Sequence, residues 1–339
     1  MRVPFGGVAQ SVRALPCHGR GCGFESRRSR HIFLPSHFLV FNGVDSCLDA
    51  RMIAIIHDPR CADYSAPGHP ERPARITATR RRLREQKEVE LEWMEPGVAP
   101  TESILRAHEE SHWRLLNEGE VDFDGDTPRY PEIDLHAIRG VGAALKAAKL
   151  AQEGHLAFSF MRPPGHHATA TTAMGFCYLN SIAIAALQAQ VDGAKKVAVF
   201  DFDVHHGNGT EAILQGRENT RFCSVHQSPL YPGTGLVHVP PNCFNDTVRP
   251  NVARETYRDT LKRSLDRIAE FEPDLIGVSA GFDAYAQDPL AQGTLLAEDF
   301  QWMGESIRAL GIPFFSVLEG GYSDDLSELV LAYLRGIAG

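Results

Sequence analysis

The sequence lacks any long hydrophobic run. Nothing in it approaches the ~20 consecutive apolar residues that a membrane-spanning helix requires, so no membrane partner is expected. It is also short of positive charge: 34 Lys and Arg face 43 Asp and Glu, a formal net charge of -9. With no basic stripe, direct nucleic-acid binding is not expected. Cysteine is sparse and poorly arranged for disulfides. The seven cysteines, at 17, 22, 47, 61, 177, 223 and 243, form no CxxC pair and are odd in number, which suits a reducing cytoplasm. "CHGRGC", with Cys17 and Cys22, resembles half a zinc site, but no second half lies nearby.

The first 51 residues are poor in acids, rich in Arg and Gly, and without apolar periodicity, so they cannot build a core. An organellar presequence would have that composition. So would the translation of a transfer-RNA gene lying upstream, which we favour; residues 1–51 are then a disordered or spurious extension and Met52 is the start. From Met52 to Gly339 there is no repeat, low-complexity tract or interdomain linker, and a single domain is expected. Continuous apolar runs ("MIAIIH", "LAFSFM", "KVAVFDFD", "DLIGVSAG", "PFFSVLEGG") read as strands buried on both faces. They alternate with segments that repeat apolar residues every three to four positions, "DLHAIRGVGAALKAAKLAQEG", "YLNSIAIAALQAQ", "RETYRDTLKRSLDRIAEF" and "AEDFQWMGESIRAL". Strand and helix in alternation predict a mostly parallel sheet covered by helices on both faces.

Four polar clusters follow four of these strands: "RPPGHHA", "DFDVHHGNG", "AGFDA" and "EGGY". Taken singly, a His pair, an Asp after a strand or a Gly pair has ordinary readings in packing, capping and turns. Together they fall at one carboxyl edge of one sheet, where open α/β sheets carry their sites. In an extended segment Asp201, Asp203 and His205 share a face while Val204 and His206 take the other. With Asp283 as a further carboxylate, Asp203 and His205 provide three ligands of the kind that Zn²⁺ accepts, leaving a position for water or substrate. Fe²⁺ or Mn²⁺ would also suit such ligands. His166 and His167 remain free to move protons near neutral pH.

The combined motifs "GHPERPARI", "RPPGHHA", "GFCYLN", "DFDVHHGNGT", "YPGTG", "SAGFDA" and "EGGY" resemble the histone deacetylase superfamily. They are closer in form to its class II branch, with bacterial deacetylase-like and acetylpolyamine amidohydrolases. The resemblance runs from about Met52 to the C-terminus. It implies the arginase-deacetylase fold, a three-layer α/β/α sandwich. It also implies zinc (or Fe²⁺) on Asp203, His205 and Asp283, with His167 as general base and then acid and His166 held by Asp201. Tyr322 would serve as oxyanion donor. A structural K⁺ would sit among Asp201, Asp203, His205 and Ser224. Phe176 and Tyr231 would wall an acyl-lysine tunnel, with the Gly175 carbonyl receiving the substrate amide and Leu290 at the rim. Asn208 stands where class I members place an Asp behind His167, which lowers the basicity expected of that histidine.

The implied reaction is hydrolysis of acetyl-lysine or a related acetylated amine by a metal-activated water. Acetylpolyamine hydrolysis is the nearest alternative. The polyamine-specific branch carries a Glu where Leu290 stands here, although Asp126 in "DGDTP" could supply a charge at the mouth. A binuclear manganese ureohydrolase would need additional bridging ligands, and a non-enzymatic binding protein would not need the full catalytic set. If residues 1–51 add nothing to the core, a chain beginning at Met52 has the thermal midpoint of the full chain. Loss of soluble protein on that truncation would show the segment to be structural.

Overall fold

The computed structural model describes residues 52–339; the expectations for residues 1–51, Cys17 and Cys22 included, fall outside them. Eight strands form one sheet in the order β2-β1-β3-β8-β7-β4-β5-β6. Every strand pair in it is parallel. Five strands are those expected from the apolar runs: β1 (Ile53–Ile56), β3 (Leu156–Ser159), β4 (Val197–Asp201), β7 (Leu275–Ala280) and β8 (Phe314–Leu318). β2 (Leu91–Met94), β5 (Thr220–Gln227) and β6 (Cys243–Val248) complete the sheet.

Helices cover both faces, as a parallel sheet requires. α4 (Ile133–Gln152) and α5 (Ser181–Val191) lie on one face. α7 (Arg254–Phe271), α8 (Ala297–Ala309) and α9 (Leu326–Ala338) pack in succession over the other. Alternation along β7 and β8 shows how tightly the layers meet. A Cβ on Gly277 would lie 2.9 Å from Ile182 of α5. On the opposite face Ser316 meets the Tyr333 hydroxyl of α9 at 2.8 Å. α5 is buried almost all round, as its apolar sequence demands. Its first turn is capped by Asn180, whose side-chain oxygen accepts from Ala183 N at 3.0 Å.

The order of strands explains where the site lies. β4 sits between β5 and β7, with Asp201 in register with Ser224 and Ser279. β7 in turn pairs with β8 and β8 with β3. The carboxyl ends of β3, β8, β7 and β4 are therefore consecutive neighbours, and the four polar clusters leave the sheet side by side.

A buried ion network anchors this edge to the N-terminal part of the described chain. Arg162, after β3, donates to Glu71 Oε1 at 2.5 Å and Oε2 at 2.7 Å, and to the Cys61 carbonyl at 2.9 Å. Arg75, in α1 (Ala74–Glu85), shares the same carboxylate at 3.1 Å. Burial opposes the charge on Glu71, but the Arg162 guanidinium outweighs it and holds the carboxyl down at about 2. Removing one partner of such a set leaves an uncompensated buried charge, at a cost of about 3–5 kcal/mol. Arg162→Met is therefore expected to lower the thermal midpoint by several degrees, and the double variant with Glu71→Gln to lose less than the two single losses added. An unchanged midpoint in Arg162→Met would show the network to be dispensable.

Candidate active site

The regular strand β4 stops at Asp201, short of the extended segment expected through His205. Beyond it the carboxylates themselves bend the chain. Asp201 Oδ1 accepts from Asp203 N at 3.1 Å, and Asp203 Oδ1 accepts from His205 N at 2.9 Å. Each Asp thus closes a local loop to the amide two residues on, and Asp203 and His205 converge despite the loss of strand geometry. His206 takes the other side, 2.8 Å from the Thr234 hydroxyl.

The loop after β3 brings the tandem histidines. His166 Nδ1 donates to Asp201 Oδ2 at 3.0 Å. His167 Nδ1 donates to Asn208 Oδ1 at 2.8 Å, which leaves its Nε2 as the lone-pair nitrogen. The Glu319 carboxylate, from the loop after β8, accepts from Gly165 N at 2.7 Å and His166 N at 3.2 Å, fixing the histidine loop from below. Gly320 N donates to Asp203 Oδ2 at 2.7 Å. Backbone crowds these carboxylates. A Cβ on Gly207 would fall 2.1 Å from Asp201 Oδ2, one on Gly281 2.1 Å from Asp203 Oδ2, and one on Gly320 2.0 Å from Asp283 Oδ2.

His205 Nδ1 lies 3.1 Å from both Asp203 Oδ1 and Asp283 Oδ2. One ligand atom from each of the three residues falls within 4.8 Å of the others, so they could hold a metal ion. The chemistry of the donor set fits a cation. Burial works against a charged His205, yet hydrogen bonds to Asp203 and Asp283 outweigh it and push the imidazole up to about 10. His166 is likewise pushed up to about 10 against burial, by the charges of Asp203 and Asp201. Burial, then the neighbouring Asp203 charge, lifts Asp283 to about 7, and burial lifts Glu319 to about 7. His166 and His205, by contrast, hold Asp203 well below the usual carboxylate range against burial, so positive charge is favoured among these buried carboxyls, and a divalent cation would serve the same electrostatic need. His167 goes the other way: burial, then the charges of His166 and His205, hold it well below its usual range. Its hydrogen bond to Asn208 opposes that fall, so burial is the main reason for low basicity.

These groups open on a cavity of about 210 Å³ lined by Asp126, His167, Gly175, Phe176, His205, Leu230, Tyr231, Leu290 and Tyr322. The residues expected to form the tunnel, Gly175, Phe176, Tyr231 and Leu290, all line it, together with Asp126. Leu230 was not anticipated. Phe176 meets Tyr322 edge-on at 5.8 Å, and His167 meets Tyr231 edge-on at 5.2 Å. Burial holds the Tyr322 hydroxyl well above its usual range, so it stays protonated and remains a donor. Ser224 lies on β5 beside Asp201; His226 Nε2 is engaged with the Gly235 carbonyl at 3.0 Å, so its Nδ1 accepts from the Ser224 hydroxyl at 2.8 Å. The Ser224 oxygen keeps its lone pairs.

An eight-stranded parallel sheet, sandwiched between helices and bearing this cluster at its carboxyl edge, is the arginase-deacetylase fold. The chain belongs to the histone deacetylase family: the profile of the histone deacetylase domain matches residues 69–337. A probable deacetylase of Methanothermobacter thermautotrophicus is 37% identical over 303 residues, 85% of this chain and 91% of its own. The acetylpolyamine amidohydrolase of Mycoplana ramosa is 36% identical over 214 residues, 60% of this chain and 63% of its own. Among solved structures, the HDA15 HD domain superposes with a TM-score of 0.78 at 28% identity, over 86% of this chain and 89% of that one.

Sequence reasoning missed Glu319, the Arg162–Glu71–Arg75 network and Asp288, whose carboxylate accepts from the backbone of Tyr322. The Glu of "EGGY" was in view; its burial was not. If Asp203, His205 and Asp283 hold one divalent ion, Asp203→Ala or His205→Ala leaves the purified chain without it, as metal atoms per chain would show. Full metal content in either variant would place the ion elsewhere.

Proposed function

We propose that the protein is a zinc-dependent amidohydrolase that removes acetyl groups from acetyl-lysine or related acetylated amines, with residues 52–339 as its single catalytic domain. One observation carries this reading. His205 of the donor set, with Asp203 and Asp283 buried behind it, lines one aromatic-walled cavity together with His167 and the hydroxyl-bearing Tyr322. A slim, uncharged acyl amide on an alkyl stem suits such a cavity, with Phe176 and Tyr231 against the stem and Leu290 at the rim. The names of the relatives, deacetylase and acetylpolyamine amidohydrolase, point to the same bond.

Zinc on Asp203, His205 and Asp283, or Fe²⁺ on the same ligands, would polarise the acyl carbonyl and acidify a water. The remaining work falls to the chain. His167 Nε2 takes a proton from the attacking water and later gives it to the departing amine, for which an imidazole held neutral in the resting site is suited. Tyr322 donates its hydroxyl to the oxygen on which negative charge develops. His166, tied to Asp201, packs against His167 with ring centroids 4.0 Å apart and helps to fix its orientation. Acetate and a free amine leave. Asp201, Asp203, His205 and Ser224 would hold a structural K⁺, a role supported by the free lone pairs of Ser224. A cytoplasmic setting fits the buried, unpaired Cys61, Cys177, Cys223 and Cys243.

Acetylpolyamine hydrolysis is the second reading, favoured by Asp126 on the cavity, where a carboxylate could meet a cationic amine. Leu290 speaks against it, since it offers no charge at the rim. A two-metal ureohydrolase is less well supported: among the described residues, Asp203, His205 and Asp283 form a single cluster of metal-type ligands.

Purified protein should cleave acetyl-lysine peptides or small acetamides with higher kcat/KM than acetylspermidine, and Leu290→Glu should move the ratio toward the polyamine. A wild-type preference of about tenfold for acetylspermidine, ~1.4 kcal/mol in transition-state binding, would instead assign the polyamine activity. Tyr322→Phe should lower kcat by ~10²–10³ with metal content retained. An unchanged kcat would remove Tyr322 from the mechanism.

A further inference from the structure

The phenol of Tyr322 hangs from the loop between β8 and α9. It follows Gly320 and Gly321, and Gly321 adopts φ +116, a conformation that favours glycine. Something must therefore set the direction of the Tyr322 side chain. On one side Arg75 Nε donates to the Gly321 carbonyl at 2.7 Å. On the other side a single carboxylate, Asp288, receives the next two amides: Asp288 Oδ2 accepts from Tyr322 N at 2.7 Å and from Ser323 N at 3.2 Å.

Asp288 belongs to a different loop, the one after β7 that also carries Asp283 and Leu290. It is buried, 6% exposed. Its other oxygen, Oδ1, accepts from Leu290 N at 3.0 Å. Its own amide donates to the Tyr285 carbonyl at 3.0 Å. The Tyr285 hydroxyl donates to Asp325 Oδ2 at 3.0 Å, beyond the Tyr322 loop. The anchor is thus itself anchored. Three backbone amides from two loops converge on one side chain, and two of those amides belong to residues that line the cavity, Tyr322 and Leu290.

We propose that Asp288 is a positioning residue for the reaction: it ties the rim residue Leu290 and the donor Tyr322 into one rigid unit and sets the phenol where the oxyanion develops. The inference rests on the catalytic reading of Tyr322 given above. Asp288 has no direct part in bond breaking. Its contribution is to hold the donor in advance, so that no reorganisation is needed as charge appears. A carboxylate suits this task because both oxygens accept and neither donates. An asparagine in its place turns an N–H donor toward at least one of the same amides.

The test is a double-variant cycle read on an acetyl-lysine peptide with the metal-loaded full chain. Asp288→Asn is expected to lower kcat by about 10–100-fold while KM stays within about threefold, with metal content and thermal midpoint close to wild type. In the Tyr322→Phe background the same change should cost less than about threefold more, because the group that Asp288 positions is already gone. A merely structural residue would give the same loss in both backgrounds. A multiplicative loss in the double variant, or an unchanged kcat in Asp288→Asn, overturns the proposal. If Asp288→Asn does not fold, Asp288→Ser is read by the same criteria. The two readings fail differently: a silent Tyr322→Phe in an active enzyme removes the catalytic role of Tyr322 and the proposal with it, whereas a strong Tyr322→Phe effect with multiplicative Asp288 losses removes the proposal alone.

Discussion

Four buried carboxyls at one edge of a sheet, Asp201, Asp203, Asp283 and Glu319, are the constraint around which the rest is arranged. Uncompensated, each would be costly to remove from water. Three of them accept from backbone amides of other loops: Glu319 from Gly165 and His166, Asp203 from Gly320, and Asp283 from Val204 of the β4 loop at 2.9 Å. The carboxyls that could hold a cation are thus also the cross-ties that hold four loops in one geometry. Site and scaffold share the same hydrogen bonds.

Parallel topology makes this sharing possible. Every strand of the sheet presents its carboxyl end to the same edge, so loops from segments more than 150 residues apart in sequence, at His166 and Glu319, emerge side by side. The Arg162–Glu71–Arg75 network adds a further layer behind them. Arg75 reaches both the Glu319 and the Gly321 carbonyls, so α1 steadies the loop that carries Tyr322.

Much of this was legible in the sequence, for physical reasons. β1, β3, β4, β7 and β8 occupy the middle of the sheet, where both faces are covered, and such strands must be continuously apolar. β2 and β6 lie at its two edges and β5 beside an edge. The residues of β2 are half-exposed, and β5 and β6 carry Arg221, Ser224, His226, Asn245 and Asp246, so no apolar run announces them. The metal-type ligands and the tandem histidines were readable because their residue types are rare at strand ends in combination. Asp288 was not, since "QDPL" has the composition of an ordinary Asp-Pro turn and its partners come from a loop 34 residues away. Leu230 shares that fate: an exposed loop gives no local sign of which apolar residue turns inward.

The glycines beside the carboxylates carry a consequence for how such a chain tolerates change. At Gly207, Gly281 and Gly320 the space for a methyl group is already taken by an Asp oxygen. The smallest possible side chain would displace that carboxylate from behind. In a collection of inactive variants, alanine at these silent, chemically inert positions should therefore appear alongside losses of the ligands themselves. A tolerance map of this protein would outline its site by the residues that have no functional group at all.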